Sequence, residues 1–226
     1  MTYYKATRPD GTSFYDSRTR WEVGEATVHP DYRPELGLCS AGVLHAADVP
    51  AETLLGGSWP CRLFRVEPEP DGELIGPEGH KWGGPAWRVV EELPPWQALG
   101  PNGEEVAALI ERASRLSTPE IVALEAARAA ARAAAWFAAP GAAWTAARAA
   151  ALDAARAAAL DAARAAAWAA ARAAVRAAAP EPPTWEDVPA GASAARSAAH
   201  ALVVRDVLDP GAFDVLYGPW REAVGG

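Results

Sequence analysis

Cysteine occurs twice in this 226-residue chain, methionine once, histidine four times and lysine twice. Two cysteines cannot form the disulfide framework of a small secreted domain. The start of the chain, MTYYKATRPDGTSF, lacks the apolar core of a signal peptide. Cys39 and Cys61 therefore read as buried, reduced thiols, and the expected location is cytoplasmic. Cys39, His45, Cys61 and His80 are the one collection that could hold a metal. Zinc ligands pair at short spacings, whereas Cys61 and His80 have no near partner, so no metal is expected. A Walker A loop and a GxGxxG are both lacking. Gly56-Gly57 and Gly83-Gly84 do not stand between a strand and a helix as phosphate cradles must.

Basic clusters are scarce as well. The net charge is −8, with 11 Lys and Arg against 18 Asp and Glu in residues 1–115, and 10 against 11 in residues 116–226. Such a balance excludes the clustered positive surface that nucleic acid requires. Uncharged apolar runs of membrane length are lacking too. The long Ala-rich stretch carries an Arg every four to eight residues, and each would cost about 2.5–3.5 kcal/mol at mid-membrane. No membrane partner is expected.

What the chain has in excess is alanine at a fixed period. Residues 142–177 are nine uninterrupted tetrads, AAWT, AARA, AALD, AARA, AALD, AARA, AAWA, AARA and AVRA. Ala, Leu and Arg are strong helix formers, and the run far exceeds the nucleation threshold of about 12–15 residues. The expectation is a helix over 142–179 of about 57 Å at 1.5 Å per residue. Each tetrad advances its large side chain by about 40° around the axis, so no straight apolar stripe forms and a left-handed coiled coil is excluded. The Arg ridge spirals and is diluted by Asp153 and Asp161, which reads as a solvated face. Trp136, Trp144 and Trp168 are the candidate interaction anchors of this region.

The fold class read from these features is α+β, with a small mixed N-terminal domain of several antiparallel strands at 1–116. An Ala-rich helical region follows at 117–179, broken at Pro140-Gly141 by a hairpin or a kink. A Pro-rich linker and C-terminal helices occupy 180–226. In the first region strands are expected at Tyr3–Thr7, Thr12–Tyr15, Trp21–His29, Arg62–Glu67 and Trp87–Leu93. A short helix is expected at Pro50–Leu55, a turn at Pro70-Asp71-Gly72 and a loop at Pro77–Pro85. One helix should start after Asn102-Gly103, with Val106, Leu109 and Ile110 inward. A second should start at Thr118 as N-cap with Pro119 first in the helix. Ser193 should cap a helix reaching Leu208, with Ala195, Ala198, Ala199, Leu202 and Val203 inward. Asp209-Pro210 should begin a last turn or two that Gly218-Pro219 stops.

Catalytic candidates are few. Cys39-Ser40-Ala41-Gly42 with His45 could be a nucleophile and base, but it lacks the strand–nucleophile–helix pattern and reads as a turn.

The segments YYKATRPDGTSFY, WPCRLFRVEPE, RVVEELPPW and ALVVRDVLDPGAFDVLYGPW resemble a group of actinobacterial and actinophage proteins. Those proteins join an N-terminal domain of unknown function to an Ala-rich region. The resemblance implies a phage or prophage accessory role and brings no catalytic residues. The Ala-rich half is faintly similar to immunity proteins of bacterial polymorphic toxins. Two functions are therefore expected. The leading one is a non-enzymatic, cytoplasmic interaction protein that takes a protein partner or self-associates, with no cofactor. The alternative rests on the order YYKATRPDG, GVLHAADVPAETLL, WPCRLFRVE, which is similar to ADP-ribosyltransferase-like NAD-binding folds. That likeness implies Arg8 and His45 as nucleotide-holding residues, with no catalytic Glu motif following.

Overall fold

Aromatic and β-branched residues bounded by Pro, Gly and Asp favour antiparallel pairing, and such runs supply part of the seven strands that pair in the first part of the chain. The computed structural model describes residues 1–138 and 190–225. It divides into two compact units, Met1–Gly100 and Pro101–Gly226, so the helix that opens at Gly103 belongs to the second. The expected α+β class holds at this level, with strands first and helices after.

The first unit contains β1 (Tyr3–Thr7), β2 (Ala26–Val28), β3 (Leu44–Ala47), β4 (Arg62–Pro68), β5 (Ile75–Glu78), β6 (Lys81–Gly84) and β7 (Ala86–Leu93). They form one antiparallel sheet in the order β2-β7-β4-β1-β3-β6-β5. Its register sets Tyr3 opposite Val66, Val66 opposite Val89 and Ala46 opposite Trp82. One face of the sheet thus collects Tyr3, Leu44, Ala46, Phe64, Val66, Trp87 and Val89 around Trp21. Tyr3 meets Trp87 edge-on at 5.1 Å and Trp82 at 5.6 Å. The Trp87 indole N–H donates to the Leu44 carbonyl at 3.1 Å, which satisfies a polar group that burial would otherwise penalise. On the opposite face Ala6 and Leu63 pair in register. Two 3-10 turns, Pro50–Leu54 and Pro95–Leu99, pack there on β1 and β4 and bury Leu54 and Leu99.

Three expectations for this unit fail for local reasons. Thr12–Tyr15 is not a strand and retains a single bridge, Thr12 to Arg20. The Asp10 carboxylate takes the N–H and hydroxyl of Thr12, and Asp16 takes the N–H groups of Arg18 and Thr19. Such local side-chain bonds compete with ladder pairing. Of Trp21–His29 only Ala26–Val28 pairs, because Gly24 turns the chain at φ +86° and sends Trp21 into the core. Pro77–Pro85 is not a loop but most of the β5–β6 hairpin. Its glycines serve packing: a Cβ on Gly83 would lie 2.7 Å from Leu38, and one on Gly84 2.8 Å from Leu74.

The second unit holds α1 (Gly103–Ala113), α2 (Thr118–Ala138), α3 (Ala190–Val203) and α4 (Pro210–Val224). Helix α3 packs on α1, α2 and α4, and α2 packs on α4. Val106, Leu109, Ile110 and Leu124 are buried together with Ala194, Ala195, Ala198, Ala199, Leu202 and Val203. The inward residues are those the spacing indicated, but three boundaries differ. Ser117 precedes α2 and its N–H donates to the Glu120 carboxylate at 2.8 Å, the return bond of a capping box. The cap is therefore Ser117 and not Thr118. Helix α3 starts at Ala190 and ends at Val203, before a 3-10 turn at Arg205–Val207, so Ser193 lies inside it. Asp209 caps α4 through the Ala212 N–H at 2.9 Å, and α4 runs through Gly218-Pro219 to Val224. An interior Pro costs about 3 kcal/mol. Burial of Trp220, which is 3% exposed, offsets about 1.5–3 kcal/mol of that.

The expected helix at 142–179, the break at Pro140-Gly141, and Trp144 and Trp168 lie outside the described residues. Trp136 falls within α2, and its side chain lies outside the described part.

Candidate functional site

Arg8 follows β1 and its guanidinium is held inside its own loop. It donates to the carbonyls of Ser13 at 3.4 Å and Phe14 at 3.1 Å and lies 5.8 Å from the centre of the Phe14 ring. His45 is on β3, and its Nε2 bonds the Leu38 carbonyl. Burial, helped by the charges of Lys81 and Lys5, pushes the His45 imidazole down to about 4, so the ring is neutral around pH 7 and Nε2 is a donor. The two residues proposed to share a nucleotide thus serve separate backbone carbonyls.

Cys39 and His45 also fail to form a nucleophile and base, since His45 reaches the carbonyl of the residue before Cys39. Segment 39–42 is a turn, as its sequence indicated. The thiols differ from expectation: Cys61 is buried but Cys39 is exposed. Cys39 sits where the hairpin β5–β6 presents Glu78 and Lys81. Lys81 Nζ donates to Cys39 Sγ at 3.5 Å, and Sγ lies 3.6 Å from Glu78 Oε2. Burial pushes the Cys61 thiol up to about 12, which leaves it protonated and inert.

A third cluster was not legible in the sequence. His80 at the hairpin tip places Nδ1 2.7 Å from Asp48 Oδ1, and the Trp82 indole donates to Asp48 Oδ2 at 3.2 Å. The Asp48 N–H in turn donates to the His80 carbonyl at 3.0 Å. A carboxylate on Nδ1 orients Nε2 outward, as in general-base dyads. The three bonds clasp the end of β3 to the β5–β6 hairpin. Burial and the neighbouring Asp48 charge raise the Tyr3 phenol above its ordinary value. The signal missed was long-range, because Asp48 and His80 have no periodic relation in the chain.

Among the described residues, no three or more His, Cys, Asp or Glu gather as metal ligands, and no helix is long and apolar enough to cross a membrane. Comparison with family models, curated proteins and solved structures finds no match.

The second unit offers a surface instead of a cluster. A helix facing water ordinarily turns polar side chains outward. Among the described side chains of α2, Thr118, Pro119, Val122, Ala123, Ala126, Ala129 and Ala130 are exposed; all but Thr118 are apolar, and Val122 is 59% exposed. Their spacing places Pro119, Val122, Ala123, Ala126 and Ala130 on one stripe. Leu124, between them in sequence, points inward and is fully buried.

Proposed function

We propose that this chain is a non-enzymatic interaction protein whose second unit receives a helix of a protein partner. The observation that carries the reading is the outward apolar stripe of α2, from Pro119 to Ala130. Small side chains admit close approach of a second backbone, and Val122 supplies a protruding anchor. Its burial would contribute about 1.5–3 kcal/mol. In the sequence, Trp144 and Trp168 of the tetrad repeat are larger candidate anchors. Resemblance to actinophage proteins supports a phage accessory setting.

Affinity capture with the full chain, together with sedimentation velocity, tests the reading. The expected result is a specific partner or a self-associated species, lost in Val122→Glu and Ala126→Arg without change in melting temperature. A chain that stays monomeric and captures nothing would overturn it. Release of nicotinamide on incubation with NAD would replace it with the transferase-like alternative.

A further inference from the structure

The contact between Cys39 and Lys81 sets an amine 3.5 Å from an exposed thiol. The chain has only two lysines, and one of them lies against its one exposed described thiol. Three supports fix the arrangement. The His45 bond to the Leu38 carbonyl anchors the residue before Cys39. Ser40 Oγ bonds the Gly37 carbonyl at 2.7 Å and closes the turn. Lys81 and Glu78 face each other in register on β6 and β5. Glu78 Oε2 stands on the thiol at 3.6 Å, where it can take the proton as sulfur becomes nucleophilic.

We propose that Cys39 and Lys81 form a reversible, peroxide-driven covalent link that staples the 37–42 turn to the β5–β6 hairpin. Its chemistry balances in two steps. The Cys39 thiolate attacks one oxygen of hydrogen peroxide; an S–O bond forms, the O–O bond breaks and hydroxide leaves as water, which gives the sulfenic acid. Lys81 Nζ, its ammonium proton passed to Glu78 or solvent, then attacks sulfur. An S–N bond forms, the S–O bond breaks and a second water leaves. Sulfur is oxidised by two electrons, peroxide is reduced to water, and a thiol with its reductant reverses the link. Cys61 supplies an internal control, because burial leaves it protonated and out of reach of peroxide.

The full chain, treated with stoichiometric hydrogen peroxide and digested, is read by mass spectrometry. The expected product is the Cys39 peptide joined to the Lys81 peptide, about 2 Da lighter than their sum, and restored by dithiothreitol. Cys39→Ser and Lys81→Arg should each abolish it, and both sites are open enough for the fold to survive. In Lys81→Arg, Cys39 should proceed to stable oxygen adducts instead. Finding the same adducts in wild type with Lys81 unmodified, or only disulfides between chains, would overturn the link.

Discussion

The two units bury apolar surface in opposite ways. The sheet unit relies on a few very large side chains, with Trp21, Trp87 and Phe64 all at 0% exposure. The helical unit relies on small side chains in number, with Ala195, Ala198, Ala199 and Ala201 also at 0%. Large interlocking groups concentrate stabilisation, so removal of one leaves a cavity. Close-packed alanines distribute it and set the distance between helices, so enlargement of one forces them apart. The sheet unit should be sensitive to truncation and the helical unit to growth.

Trp87→Ala is the largest test of that contrast. It removes the side chain that Tyr3 packs against and deprives the Leu44 carbonyl of its donor. The expected loss is about 3–5 kcal/mol, measured by urea unfolding followed by near-ultraviolet circular dichroism. A loss below about 1 kcal/mol would show that the sheet repacks, in the range of an ordinary surface change. The matching test in the other unit is Ala198→Leu, which should cost about 1–3 kcal/mol. Ala126→Leu on the outward stripe should stay within about 0.5 kcal/mol. Equal effects from the two leucines would erase the distinction between the inner and outer alanine surfaces.

A pH series separates the units further. His45 titrates near 6.5 when unfolded and at about 4 when folded. The unfolded chain therefore takes up its proton first. The sheet unit should lose stability as pH falls from about 6.5 to about 4, by about 1–2 kcal/mol after allowance for solvent screening. Lys5, whose ammonium burial beside Trp21 pushes down to about 8, acts at the other end. The same unit should gain stability as pH rises from about 8 to about 10.5, where the unfolded chain still holds the proton. His45→Gln should flatten the acid limb in a denaturant series, and an unchanged slope would remove His45 as its cause.

Periodicity reached the helices more fully than the sheet. Val106, Leu109, Ile110, Ala198, Ala199 and Leu202 repeat at helical spacing, and the structure buries each of them. Helix ends were less legible because Pro219 and Ser193, strong local signals, yield to tertiary burial of their neighbours. In the sheet, β4 alternates visibly and β1 and β7 are marked by their aromatic and β-branched residues, but β5 and β6 hide in a Gly- and Pro-rich stretch. There the glycines mark crowding by Leu38, Leu74 and Ile75, which only the fold brings near. The same long-range assembly explains why Asp48 with His80, and Cys39 with Lys81, left no pattern in the chain.

The smallest expected effect tests the start of α2. Glu120 accepts the N–H and hydroxyl of Ser117 and is paired with Arg112, and these three bonds hold its carboxyl down to about 2. The unfolded carboxyl titrates near 4.3. Folding of the helical unit is thus favoured fully above that value, and the contribution declines as pH falls through about 2. Glu120→Gln keeps an oxygen for Ser117 but loses the charge, so it should remove the acid dependence while leaving α2 formed at pH 7. Helicity by far-ultraviolet circular dichroism, compared between wild type and variant from pH 5 to pH 2, reads this difference. If the two units unfold independently, His45→Gln should flatten the acid limb of the sheet unit's transition alone and Glu120→Gln that of the helical unit's alone, and the double variant should show both. If instead both substitutions flatten one shared unfolding transition, the units respond to acid as one cooperative body, and the contrast between them would fall.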